Sequence, residues 1–131
     1  MDELSRWTSL VPELVDGDRL LHTDLHGDQF RIGPGGDVHV IDWGFPAAGA
    51  AWVDVAFLVL RLVEAGHHPQ DAEAWARSLS CFSGVDSVAL NAFSAYVAGL
   101  WSYWAITDDA PGVAHRARLA RGYAAWRLPD E

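Results

Sequence analysis

Residues 19–44 read RLLHTDLHGDQFRIGPGGDVHVIDWG, and their pattern decides the fold. A short strand over residues 19–22, with the apolar pair Leu20 and Leu21, leads into His22, Asp24, His26, Asp28 and Gln29. Phe30, Ile32, Val38 and Val40 are apolar, whereas Arg31, Asp37 and His39 are polar. This period-two alternation predicts two β-strands, residues 30–32 and 38–41. Gly33-Pro34-Gly35-Gly36 supplies the turn between them. That glycine run is not a phosphate cradle, because it lacks GxGxxG spacing and joins strand to strand instead of strand to helix. The hairpin ends on Asp42, Trp43 and Gly44, so an acidic cluster lies at each of its ends.

Residue chemistry gives those clusters distinct uses. A segment that turns back after a strand brings its side chains to one place. Asp24 there can accept a proton from a substrate hydroxyl, the task of a general base. Asp42 at a strand end can hold a hard cation with its carboxylate, and Gln29 can add a neutral oxygen to the same ion. One carboxylate for a metal and one for a nucleophile's proton suit phosphoryl transfer. A rival reading takes His22, His26, Asp24, Asp28 and Asp42 as a zinc or iron site. It is weaker, since His22 and His26 stand four apart in a loop, no HExxH is present, and His39 belongs to the polar face of the hairpin.

Outward from this stretch the chain reads as helices. Residues 2–15 suit one helix or two short ones, with Asp2 as a cap and Pro12 as a second start. Residues 44–49 read as a loop. Residues 50–65 (AAWVDVAFLVLRLVEA) are apolar nearly all round and predict a buried helix closed by Gly66. Its polar exceptions are Asp54, Arg61 and Glu64. Asp54, in the first turn, reads as a structural anchor for the helix dipole or for nearby backbone N–H groups. His67 and His68 are loop residues before a short helix that Pro69 starts and that runs to about Ser78. Asp86 caps a long helix to about Ile106, with Val88, Leu90, Phe93, Tyr96, Val97, Leu100, Trp101 and Trp104 at helical spacing. A last helix spans Val113–Trp126, with Arg116, Arg118 and Arg121 on its wetter side. The seven tryptophans read chiefly as core, and an aromatic ligand wall is the lesser alternative.

Bulk properties set limits. A chain of 131 residues, half of them apolar, is one domain with a real core. No apolar run reaches the ~20 residues of a bilayer span, and the N-terminal residues lack the regions of a signal peptide. The single cysteine, Cys81, excludes an internal disulfide, fits a reducing cytoplasm and reads as a small core residue. A net charge of −9 argues against a nucleic-acid backbone as ligand and would suit a cationic partner or a metal. All nine basic residues are arginine, which excludes any catalytic lysine in this chain.

His22-x-Asp24-x-x-x-x-Gln29, a short hairpin, Ile41-Asp42-Trp43-Gly44 and then Asp54-Val55-Ala56 together resemble the aminoglycoside phosphotransferase family. The match covers residues 22–56, and the helical remainder to residue 127 is compatible with that family's C-terminal lobe. The resemblance implies a protein-kinase-like fold, here an α+β, mainly α-helical C-lobe in one domain over residues 1–131. In it, residues 22–29 form the catalytic loop, residues 30–41 the hairpin and residues 42–44 the metal loop. It implies that Asp24 is the catalytic base or the residue that orients the hydroxyl, that His22 supports the loop, and that Asp42 and Gln29 bind ATP through Mg²⁺. The implied acceptor is a hydroxyl of a small molecule, and the acidic charge would favour a cationic one. Three departures stand out. Thr23 replaces the family's usual glycine, and Gln29 its asparagine. The N-terminal nucleotide lobe, with its glycine-rich loop and lysine, is expected to be missing, since only 21 residues precede His22. The isolated chain is therefore expected to be a weak or inactive phosphotransferase. The alternative is a non-catalytic, pseudokinase-like binding module whose exposed apolar face meets an N-lobe partner or a second copy.

Overall fold

The computed structural model describes residues 11–128. Helix α1 (Val11–Leu14) leads to strand β1 (Arg19–Leu21), a 3₁₀ turn at Gly27–Gln29, and strands β2 (Phe30–Ile32), β3 (Val38–Val40) and β4 (Ala47–Gly49). Four helices follow: α2 (Val53–Glu64), α3 (Pro69–Arg77), α4 (Ser87–Thr107) and α5 (Val113–Arg127). The fold is α+β and mainly helical, as expected. Pro12 falls at the start of α1, while the rest of the helix read over residues 2–15, its Asp2 cap and Trp7 lie outside the described residues.

The helix signals act through identifiable bonds. Gly66 takes the left-handed φ of 103° that closes α2. Its N–H donates to Val63 O, and His67 N–H donates to Leu62 O, the paired bonds of a Schellman end. Pro69 opens α3, and the ring Nδ1 of His68 accepts from Gln70 N–H, so this histidine is a helix cap. Asp86 caps α4 through a 2.7 Å bond from Val88 N–H.

Helices α4 and α5 form the most closely packed pair. Arg121 donates to Ser102 Oγ and Arg127 donates to Asn91 Oδ1, so the two helices run antiparallel. The core between them and α2 holds Val59, Leu60, Leu90, Phe93, Val97, Trp101 and Tyr123, and Phe82 is a fully buried member of the same cluster. Near it, Glu73 of α3 receives bonds from Tyr123 Oη and from Arg127, whose side chain is almost fully buried. Among the described residues no helix is long and apolar enough to cross a membrane.

Two expectations are corrected. The stretch read as a loop over residues 44–49 contains β4, paired antiparallel with β1 in the register Arg19↔Gly49 and Leu21↔Ala47. The pairing is long-range and relies on close backbone contact: a Cβ on Gly49 would lie 2.5 Å from Leu21 Cδ1, and one on Gly17 would lie 2.5 Å from Gly49 O. Ala-Ala-Gly has no strand pattern of its own, so only its partner makes it a strand. Cys81, read as a core residue, is exposed in the turn after α3. The neighbouring Phe82 occupies the buried position with no exposed surface. The tryptophans also divide: Trp52 and Trp101 are buried, whereas Trp43, Trp75, Trp104 and Trp126 each keep substantial exposure.

The hairpin forms in the expected register, Phe30↔Val40 and Ile32↔Val38. Gly36 takes the positive φ of its turn. One side of the alternation stays uncovered, with Ile32 74% and Val38 58% exposed.

Candidate functional site

The loop between β1 and the 3₁₀ turn is fixed by a carboxylate from α2. Asp54 Oδ2 accepts from His22 N–H at 2.8 Å, and Oδ1 accepts from Thr23 N–H at 2.9 Å. Asp54 is thus an anchor, as its place in an apolar helix implied, and the groups it anchors lie 31 and 32 residues earlier in the chain. Thr23 sits at φ 67°, a left-handed conformation that a β-branched residue adopts only under constraint. The Asp54 bond and a 2.6 Å bond from Thr23 Oγ1 to Phe45 O supply that constraint. The conformation explains why glycine would be at ease at this position.

His22 is buried and both of its ring nitrogens are engaged. Nδ1 accepts from Asp24 N–H at 3.2 Å, so Nε2 carries the proton and donates to Ile41 O at 2.8 Å. The ring also packs against Trp43, with centroids 4.8 Å apart. His22 therefore ties the loop bearing Asp24 to the strand end bearing Asp42. Neither nitrogen is free for a zinc or iron ion, which removes the main ligand of the rival metal reading.

Gln29 is buried as well. Its Oε1 accepts from His26 N–H at 3.2 Å and its Nε2 donates to Asp24 Oδ2 at 3.3 Å. Asp24 itself keeps 43% of its side-chain surface open. Its other oxygen lies 3.7 Å from Arg61 of α2, which also pairs with Glu64 and lies over the ring of Trp101. Asp42 is exposed at φ 62°, a conformation that aspartate tolerates better than most residues.

His22, Asp24 and Gln29 thus form one bonded unit, to which Asp42 is joined through Ile41. Magnesium is usually held by one or two carboxylates together with phosphate oxygens. The open carboxylate of Asp42 suits such an ion. Gln29 suits it less in this arrangement, because its amide oxygen already serves the His26 N–H. No group of three or more His, Cys, Asp or Glu side chains able to hold a metal occurs among the described residues.

Asp24 opens onto a cleft of about 640 Å³ walled by Phe45, Phe57, Trp101 and Trp104, with Arg61 and Arg116 at its polar side. A smaller cavity of about 460 Å³ shares Asp24, Arg61 and Arg116 and adds His26, Asp28 and Glu64. Asp42 is not part of either wall. Sequence reasoning named neither arginine as a site residue. Arg61 had a signal, since it stands seven residues after Asp54, two turns along the same face of an otherwise apolar helix. Arg116 had none, because only the α4–α5 pairing brings it to the loop.

Comparison of the chain with protein-family models, with curated proteins and with solved structures found no match.

Proposed function

We propose that this protein is a small-molecule phosphotransferase of the aminoglycoside phosphotransferase type, built as a kinase-like C-lobe. The observation that carries the reading is the pair of hydrogen bonds that Asp54 accepts from the backbone N–H groups of His22 and Thr23, combined with the His22 link to Ile41. Together they hold Asp24 and Asp42 in one frame, with Asp24 facing a ligand-sized cleft. In this reading Asp24, oriented by Gln29, takes the proton of an acceptor hydroxyl while that oxygen attacks the γ-phosphorus of ATP. The bond from that phosphorus to the ADP oxygen breaks. Asp42 would hold Mg²⁺, which neutralises charge on the phosphates and leaves the transferred group electrophilic. With no lysine in the chain, the positive charge facing the triphosphate would come from arginine, protonated histidine and that metal, and turnover by this chain is expected to be slow. ATP supply and a lone unpaired cysteine both suit the cytoplasm.

The test is equilibrium binding of ATP with and without Mg²⁺. The reading expects Mg²⁺-dependent binding that Asp42→Ala abolishes and Asp24→Asn retains. ATP binding that is indifferent to both Mg²⁺ and Asp42→Ala would sink it.

A second reading, a non-catalytic binding module, draws on one observation. Leu20, Ile32, Val38 and Phe45 are each more than half exposed around the hairpin and the loop after it. Such a surface suits association with a partner domain or a second copy. Stable dimers in light scattering, together with no Mg²⁺-dependent ATP binding, would favour it.

A further inference from the structure

The cleft beside Asp24 does not share the acidic excess of the whole chain: its wall holds two carboxylates, Asp24 and Asp108, and two guanidinium groups, Arg61 and Arg116. The protein carries −9, which taken alone invites a cationic ligand. The carboxylates in the cleft wall, however, are already engaged. Asp24 lies beside Arg61 and receives a bond from Gln29. Asp108 Oδ1 accepts from Ala110 N–H at 2.8 Å. Arg116 is half-buried, lines both cavities, and has no ion-pair or hydrogen-bond partner among the described residues. It is the one guanidinium in this wall with all its donors still to be satisfied, in a chain with twice as many acidic as basic residues.

The rest of the wall is mainly apolar: four aromatic side chains stand beside Leu25, Leu100 and Val113, with Thr23 and Thr107 as its neutral polar members. Trp101 and Trp104 stand one turn apart on α4, Phe57 comes from α2 and Phe45 from the loop before β4. These side chains offer stacking and apolar contact to a ring and no hydrogen-bond acceptors for the N–H groups of a set of ammonium groups. A polyamine-like, many-hydroxyl acceptor would leave its donors unpaired against them, which is costly.

We propose that the acceptor bound here is an aromatic or similarly flat apolar alcohol that carries one anionic group. The ring lies against Trp104 and Phe45, the anion meets Arg116, and the hydroxyl faces Asp24. The inference rests on reading Asp24 as the acceptor-facing residue, but it concerns binding alone and needs no nucleotide. A carboxylate and a phosphate both satisfy it, since the guanidinium fork accepts either in bidentate fashion.

The test is calorimetric titration of the full chain, without ATP, with 3-phenyllactate, its methyl ester and 2-deoxystreptamine. Phenyllactate has the ring, the hydroxyl and the anion; the ester lacks only the charge; deoxystreptamine is a cationic polyol. The acid is expected to bind about tenfold or more tightly than the ester, with deoxystreptamine weakest. Arg116→Gln should remove the preference for acid over ester while leaving ester binding in place. Trp104→Ala should weaken both. Tighter binding of deoxystreptamine than of the acid, equal binding of acid and ester to the unaltered protein, or no binding of the acid at ~10 mM would each overturn the proposal. The acid–ester comparison uses the unaltered protein, so it holds even if a variant fails to fold. Loss of Mg²⁺-dependent ATP binding, by contrast, would overturn the phosphotransferase reading and leave this result standing.

Discussion

Replacing Asp54 with alanine takes the only acceptors from two backbone N–H groups at once, because His22 and Thr23 donate to its two oxygens at 2.8 and 2.9 Å. Hydrogen bonds to a charged partner contribute about 1.5–3 kcal/mol each, and these are only part-buried, so roughly 3 kcal/mol is at stake for the pair. Relaxation returns some of this. Once released, Thr23 can leave φ 67°, a conformation that costs about 1–2 kcal/mol for a residue with a Cβ. The net loss for Asp54→Ala is therefore about 1.5 kcal/mol. Asp54→Asn keeps one oxygen and turns an amide NH₂ toward the second donor, so it should fall between the two, near 1 kcal/mol. Urea unfolding reads the difference as a fall in midpoint of about 1 M for the alanine variant, since m for a domain of this size is about 1–3 kcal/mol/M. Hydrogen exchange supplies the local signature: the His22 and Thr23 amides should exchange faster than their neighbours in β1 in both variants. A midpoint shift below about 0.3 M, with both amides as protected as before, would refute the claim that Asp54 holds the loop.

Two further outcomes follow from the same geometry and from the buried cluster at the far end of α5. Thr23→Val keeps the strained backbone and loses the bond to Phe45 O, so it should destabilise by about 1 kcal/mol. Thr23→Gly loses that bond too but relieves the left-handed φ, so thermal unfolding should place it within about 0.5 kcal/mol of the original. Burial, and next the bond to Glu73, push the pKa of the Tyr123 hydroxyl up from its usual value near 10. A raised folded pKa gives stability that is complete below the unfolded value and is lost as pH rises above it. Stability should therefore start to fall above about pH 10, at up to about 1.4 kcal/mol per pH unit from this group. Tyr123→Phe should flatten that limb in urea titrations at successive pH values. The chain has no lysine to blur the effect.

Much of the fold was legible because its signals are local. Gly66, Pro69 and Asp86 each act within one turn of the residue that carries them, and the structure uses all three. The hairpin was legible because alternation and turn chemistry agree over residues 30–41. Strand β4 was not, since Ala47-Ala48-Gly49 carries no pattern and exists through its pairing with β1. Cys81 was misplaced because hydrophobicity alone does not say which of two adjacent apolar residues turns inward, and the larger Phe82 took the site. In the candidate site the loop residues came together as their spacing implied, because His22, Asp24 and Gln29 lie within eight positions of one another. Arg116 came from a helix almost a hundred residues away, and no local rule reaches that far.

The two arginines give the proposed anion preference a local basis that the net charge does not contain. Charges further apart than a Debye length, about 8–10 Å at ordinary salt, are largely screened from each other. The 18 acidic residues of the chain act mainly on the approach of a ligand. Discrimination is set by the few groups the ligand touches. Arg61 offsets Asp24 there, with a side chain only 16% exposed, and Arg116 is left over beside the aromatic wall. Glu64 holds the other side of the Arg61 guanidinium at 3.0 Å, so Arg61 is committed to keeping this loop and α2 together. In the proposed binding mode, specificity for an anion therefore falls to Arg116. On that proposal a single leftover charge, set against a mainly apolar wall, would select by geometry in a way that the sum over the chain does not reveal.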